Sequence, residues 1–242
     1  MRIGIYGGGF KPFTTGHYSK LILASEENDL VVLFYGVSER MKGSEYRYSR
    51  EMAEEVFTIV GPAIERELPN VRVIRGKPTP IALTYDAIAD WLGIADTKLF
   101  KWSSLGVRPS DITHITVYGG EDDLVSYTQH IDGPKENAYF SDSIKAGRLT
   151  FDTGITGGIK RSLGTYARRH KDLSPEEIGS REAVRGTEVR AALMSGDPGK
   201  IEKFMPPILN DAEREQIKLI LLRGVPTSES LIRSMIRGFL VN

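Results

Sequence analysis

The stretch R-I-G-I-Y-G-G-G-F-K-P-F-T-T-G-H-Y-S-K-L, residues 2–21, decides how the rest of the chain is read. Its first part, Arg2 to Tyr6, is a short apolar run that meets Gly7, Gly8 and Gly9, the pattern of a buried strand closed by a tight turn. Beyond the turn, Thr14 or Thr15 can cap a helix from about Gly16 to Ser25 whose Leu21, Ile22 and Ala24 face a sheet. The expected unit is strand, glycine turn, helix.

Outward from this unit the pattern repeats. Leu30 to Tyr35 is continuously apolar between Asp29 and Gly36, as a strand covered on both faces should be, and should lie parallel to the first. A helical pattern follows from about Ser49 to Val60, then a strand at Val71–Ile74, a helix from about Ile81 to Leu92, and a β-branched strand at Thr113–Tyr118 ended by Gly119 and Gly120. Strands alternating with helices predict an α/β fold: a Rossmann-like parallel sheet with helices on both faces, plus a small helical C-terminal part. Right-handed crossovers then put the glycine turns after the first and fourth strands on one sheet edge, where ligands bind.

The expected division is a main domain over 1–195, with insertions at about 96–111 and 130–185 where periodicity is poor, and a helical extension over 196–242. In the C-terminal part Thr187 is expected to cap a helix to Ser195, Pro198 to start another, and Asn210 with Glu213 to open a third through a capping box. A last amphipathic helix carries Leu231, Ile232, Met235, Ile236 and Phe239 on one face, which can pack on its own domain or on a second copy of the chain.

Composition narrows the function. With 32 basic and 32 acidic residues among 242, global charge gives no reason to expect a nucleic-acid or membrane partner, so any anion site must be local. No cysteine is present, which removes disulfides, thiolate metal sites and cysteine nucleophiles. No apolar stretch approaches the ~20 residues that span a bilayer, and the opening run is too short for a signal-peptide core, so a cytoplasmic protein is expected.

Two helix starts carry the chemistry. Glycines let backbone approach a phosphate, and the amides of the following helix start can point at it. His17 sits in that first turn, where a donor is poorly placed against the helix dipole unless an anion pairs with it. In V-R-G-T-E-V-R-A-A-L, residues 184–193, Arg190 falls where a capping box would want an acidic residue. One shared polyanion explains both misplacements, whereas a bland reading has His17 simply capping or packing.

These motifs resemble the nucleotidyltransferases of the class I aminoacyl-synthetase-like, or cytidylyltransferase-like, superfamily. Thr14-Thr15-Gly16-His17 matches its (His or Thr)-x-Gly-His motif, and Gly186-Thr187-Glu188-Val189-Arg190 matches its late Ser/Gly-Thr-x-x-Arg motif, with Arg185 where a serine is common. Gly9-Phe10-Lys11-Pro12-Phe13 looks like the nicotinamide-mononucleotide adenylyltransferase version, while threonine at the first motif position also resembles phosphopantetheine adenylyltransferase. The resemblance implies that Thr14 and His17 hydrogen-bond phosphate oxygens, His17 at the α-phosphate, and that Thr187 and Arg190 hold the β- and γ-phosphates. It implies a nucleotide cradle from Gly7, Gly8, Gly9, Phe10, Gly16, Gly119, Asp122 and Gly186. It further implies Mg²⁺ bound through the triphosphate rather than by a protein-built site, and a phosphorylated small molecule as acceptor.

Lys11 lies within reach of either substrate's phosphate. Arg47 and Arg50 open the second helix on the ligand edge and are candidates for the acceptor, with surface pairing to Glu45, Glu51 or Glu54 as the alternative. Arg168-Arg169-His170-Lys171 is a further phosphate-clamp candidate, although a charge run is usually a solvated face. His114 and His130 are read as structural.

Other nucleotide-binding classes fit less well. The glycines do not give G-x-G-x-x-G, and Tyr35-Gly36 stands where a dinucleotide fold would put an acidic residue. A P-loop is absent. A tRNA synthetase would need a basic face. A cytidylyltransferase acting on an alcohol phosphate, and a non-catalytic nucleotide sensor on the same fold, stand as alternatives.

Overall fold

Strand β1 (Arg2–Gly8) occupies the centre of the sheet because both of its edges are paired. Helix α1 (Thr15–Glu27) leads to β2 (Leu30–Tyr35), α2 (Arg50–Glu67), β3 (Val71–Arg75), α3 (Pro80–Leu92) and β4 (His114–Tyr118). The computed structural model describes residues 1–37, 46–77, 79–94, 99–120, 137–156, 159–171, 174, 186–195 and 198–225. After β4 come α4 (Asn137–Lys145), β5 (Leu149–Asp152), the two-residue strands β6 (Ile155–Thr156) and β7 (Ile159–Lys160), α5 (Arg161–Arg169), α6 (Gly186–Met194), α7 (Pro198–Phe204) and α8 (Asp211–Leu222).

The main sheet has the order β3-β2-β1-β4-β5 with every pair parallel. A parallel strand buried on both faces reads as an unbroken apolar run, as β2 does, whereas the edge strand β3 leaves Arg72 exposed. Ile3, Ile5, Val32, Phe34, Ile115 and Val117 point into one layer with Leu83, Ile88 and Trp91 of α3. Tyr6, Val31 and Leu33 point into the other, with residues of α1, α2, α5, α6, α7 and α8. Each such aliphatic or aromatic side chain contributes roughly 1.5–3 kcal/mol on burial. Chain order reverses between β1 and β4, so the crevice outside their C-terminal ends is the topological switch point.

Several expectations change in detail. Gly7 and Gly8 belong to β1, in register with Phe34 and Tyr35, so the turn begins only at Gly9. Helix α2 runs to Glu67 through Pro62, which is exposed, because the buried Ala63 and Ile64 continue the apolar face beyond it. Residues 137–171 include α4, β5 and α5, and β5 extends the parallel sheet, so this part of the expected 130–185 insertion is core architecture. The 96–111 stretch, described from Leu99, packs on α3: the indole of Trp102 donates to the Ala87 carbonyl at 2.7 Å, and Asp86 and Asp90 accept backbone amides of Leu99, Phe100 and Trp102.

Residues 198–225 are likewise built into the main core rather than set apart, since Ile201, Met205, Leu209, Ile217 and Leu221 share the layer of Tyr6 and Val31. The expected capping box opens α8, with Asn210 N–H donating to Glu213 at 2.8 Å and Glu213 N–H to Asn210 at 2.9 Å. The amphipathic segment carrying Leu231 to Phe239 lies outside the described residues. Among the described residues no helix is long and apolar enough to cross a membrane.

Candidate functional site

The loop from Gly9 to Phe13 leaves the C-terminal end of β1 and folds back on the sheet. Phe10 turns it, with a φ of +36° that side chains rarely adopt, a conformation costing roughly 1–3 kcal/mol that packing must hold. Its ring lies edge-on to Tyr6, Phe13 and the His17 imidazole, at centroid distances of 5.2, 5.3 and 5.1 Å. Gly8 has to be glycine for this, because a Cβ there would stand 2.7 Å from the Phe10 ring. Phe10 is thus a buried support for His17, next to the exposed Gly9.

Thr14 is the N-cap of α1 and His17 is its third helical residue. The Thr14 amide donates to His17 Nδ1 at 3.0 Å, and the Thr14 hydroxyl lies 2.9 Å from the same nitrogen. An Nδ1 that accepts an amide proton leaves the ring's own proton on Nε2. Burial among the aromatics, and second the positive charge of Lys20, lower the pKa of His17 to about 4. His17 is therefore a neutral N–H donor at physiological pH. The bland reading and the functional one coincide here: His17 caps the helix with one nitrogen and keeps a donor on the other. Thr14, expected to touch phosphate, is 1% exposed, and its hydroxyl lies against the imidazole.

The second motif arrives from α6. Arg190 Nη1 donates to the Lys11 carbonyl at 2.7 Å, bringing the guanidinium to the loop that carries His17. The helix begins at Gly186, so Thr187 is its second residue rather than its cap, and Arg190 lies in the second turn. The side chains of Gly186 and Thr187 lie outside the described residues, as does Asp122. Val189 and Leu193, both buried, anchor α6 beside Phe13 in the shared core. Thr15 adds a tie the sequence did not suggest, its hydroxyl sharing a hydrogen bond between the Phe204 and Met205 carbonyls at 3.2 and 3.0 Å. The second turn of α6 therefore meets the loop that leads into α1.

Gly119 ends β4 at the switch point, with its amide bonded to the Asp152 carbonyl at 3.2 Å and its carbonyl to Lys20 Nζ at 2.7 Å. Lys20 was not a candidate in the sequence. The available signal was its spacing, three residues past His17 and so on the same face of α1. Gly16 is the second residue of α1, where backbone amides have no partner within the helix.

The outlying candidates divide. Arg47 and Arg50 are exposed at the start of α2, behind the Ser49 cap. The Glu51 backbone amide and the Ser49 hydroxyl, with the charges of Arg47 and Arg50, hold the Glu51 carboxyl below its ordinary range, so surface pairing accounts for part of their role. Glu54 pairs with Arg75 instead. The Arg168–Lys171 cluster is largely engaged elsewhere: Arg168 bonds Glu26 at 3.0 Å, and Arg169 lies 3.7 Å from Glu26 and 3.8 Å from Glu67. His114 Nε2 sits between the Thr116 and Thr150 hydroxyls at 3.1 and 3.0 Å, a structural role. His130 lies outside the described residues.

No protein-family model and no curated protein matches the chain. Solved structures of similar architecture exist. One is a Vibrio parahaemolyticus protein assigned as a nicotinate-nucleotide adenylyltransferase, at 16% identity and a TM-score of 0.45, covering 89% of this chain and 97% of that one. Another is a bifunctional NMN adenylyltransferase/ADP-ribose pyrophosphatase from Francisella tularensis, at 14% identity and a TM-score of 0.45, covering all of this chain and 57% of that one. A third is Thermotoga maritima TmcAL bound with alpha-thio ATP, at 13% identity and a TM-score of 0.35, covering 92% of this chain and 55% of that one. At identities of 13–16%, the chemistry has to be argued from this chain's own residues.

Proposed function

We propose that this chain is a nucleotidyltransferase that moves a nucleotidyl group, AMP from ATP in first place, onto the phosphate of a small molecule such as nicotinamide mononucleotide, with release of pyrophosphate. The observation that supports the reading is the Arg190 to Lys11 hydrogen bond, which ties the late motif to the loop that follows β1.

Such a transfer needs alignment and neutralisation of developing oxygen charge more than it needs a covalent intermediate. The neutral His17 suits the first task, because it gives an N–H to a non-bridging oxygen of the α-phosphate without exchanging a proton with solvent. Arg190 suits the second, since a guanidinium matches the paired oxygens of a β- or γ-phosphate. Lys11, on the same loop, is the flexible cation that follows the phosphates as the bond breaks. The acceptor's phosphate oxygen attacks the α-phosphorus in line, the bond to the bridging oxygen breaks, and pyrophosphate carries the electron pair away. Mg²⁺, bound through the triphosphate oxygens, would supply further charge neutralisation. Arg47 and Arg50 are the acceptor-side cations of this reading.

Pyrophosphate release with Mg²⁺, ATP or CTP and a panel of phosphorylated acceptors tests the proposal. ATP with one acceptor, nicotinamide mononucleotide before others, should give turnover. Tight nucleotide binding with no pyrophosphate from any pairing would instead mark a sensor, and preference for CTP with an alcohol phosphate a cytidylyltransferase.

A further inference from the structure

Lys20 lies in the second turn of α1, three residues beyond His17 and on the same face. Its side chain crosses to the neighbouring strand: Nζ donates to the carbonyl of Gly119, the residue immediately after β4, at 2.7 Å. On the way it passes β5's exit, for a Cβ built on Gly154 would lie 3.8 Å from Lys20 Cε. The bond joins residues 99 positions apart and spans the crevice between β1's helix and β4, the place where chain order reverses. One ammonium thus touches the strand end on the far side of the switch point while standing one turn from the imidazole.

We propose that Lys20 is a positioning residue of the triphosphate site: it holds the β4 end at Gly119 against α1 and keeps its ammonium one helical turn from His17, so that the crevice next to the imidazole has a fixed width and a fixed positive charge. This rests on the nucleotidyltransferase reading for its purpose, but its geometry does not.

A plain staple would also explain the Lys20–Gly119 bond, and charge separates the two roles. Around the imidazole, α1 contributes Lys20 and the loop contributes Lys11, whose carbonyl receives Arg190 from α6, while α2 presents the apolar Phe57 to the same aromatic group. Burial and Lys20 are the two causes that keep this ring unprotonated, and both act in the same direction. A staple needs only a donor, whereas the proposed role needs the cation.

The experiment uses the whole chain with Lys20→Gln, which keeps a hydrogen-bond donor, together with Lys20→Met and Lys20→Arg. His17 ring titration is followed by NMR, its resonance assigned by loss in His17→Gln, and inorganic tripolyphosphate binding is measured by calorimetry. In Lys20→Gln and Lys20→Met the His17 midpoint should rise part of the way toward its ordinary value, burial still acting on it, and tripolyphosphate should bind about five- to tenfold more weakly, the effect of losing the charge-assisted bond that fixes the crevice. Lys20→Arg should restore both. A Lys20→Gln protein with unchanged titration and unchanged affinity overturns the proposal, as does a change in melting temperature alone. If the wild-type chain binds no tripolyphosphate, the proposed function fails, and the titration still decides whether Lys20 sets the state of His17.

Discussion

Two helices of this chain open with the same reciprocal cap, and the telling difference is at the third helical position, His17 in one and Glu213 in the other. At α8 Asn210 and Glu213 exchange backbone hydrogen bonds, and Arg66 adds an ion pair to Glu213 at 3.2 Å. Burial opposes ionisation there, but the Arg66 pairing and the Asn210 amide hold the Glu213 carboxyl below its ordinary range. At α1 the partner of Thr14 is His17, which accepts the same kind of amide bond through Nδ1. A carboxylate at a helix start gains typically ~0.3–1 kcal/mol from the dipole, and a neutral imidazole forgoes it. The α8 cap gains that dipole interaction, whereas the α1 cap forgoes it and leaves an N–H on Nε2.

The largest test replaces His17. With Gln at the third position the cap can still form, so His17→Gln should fold with a near-normal melting temperature yet lose about 10²–10³ in turnover, the usual effect of removing one donor to a reacting oxyanion. His17→Glu sharpens the contrast: it should melt at least as high and bind no triphosphate. Full activity in either variant would reduce His17 to a cap. Next, Arg190→Ala should weaken triphosphate binding by about 10- to 100-fold, as loss of a charge-assisted contact does, with little effect on any acceptor. Calorimetry against ATP checks it, and equal weakening of both substrates would contradict the division of labour.

The pH dependence comes third. The folded pKa of His17, about 4, lies below its ordinary value of 6.5, so between those values the unfolded chain takes up a proton that the folded chain refuses. Stability should therefore fall as pH drops from about 6.5 to 4 and stop falling on this account below it. Denaturant titrations should show a loss of roughly 1–3 kcal/mol across that window in wild type, and a flatter curve in His17→Gln. Identical slopes would place the imidazole in an ordinary environment. The smallest effect belongs to α8: Glu213→Ala should cost about 1 kcal/mol of stability and leave turnover unchanged.

How much of this was legible follows from the range of the forces. β1 and β2 announce themselves as apolar runs because both their faces are buried, β3 and β4 by their β-branched residues, and the helix starts at Thr14 and Asn210 are set by residues three apart. β5 was missed: its four residues, Leu149 to Asp152, run straight from Arg148 into a network with Arg161, too short and too polar for periodicity to register. The 3-10 turns around Trp102 likewise have no helical period to find. In the site, His17 stood out because a donor is out of place in a first helical turn, whereas Arg190 looked equally misplaced only while Thr187 was taken as the cap; the helix begins at Gly186 and puts it in the second turn. Lys20 and Thr15 are ordinary for theirs, and their partners Gly119 and Met205 are brought in only by the fold.

The central place of β1 also dictates an order of assembly. Its outer neighbour β2 follows within one helix, but its other edge waits for β4, whose entry residue Thr113 bonds back to Met1. Contacts so distant along the chain form slowly. As the polypeptide emerges during synthesis, the glycine loop must ride on a half-paired strand until more than a hundred further residues exist, and its arginine comes later still. The contact between Arg190 and the glycine loop therefore forms only long after the loop itself has been made.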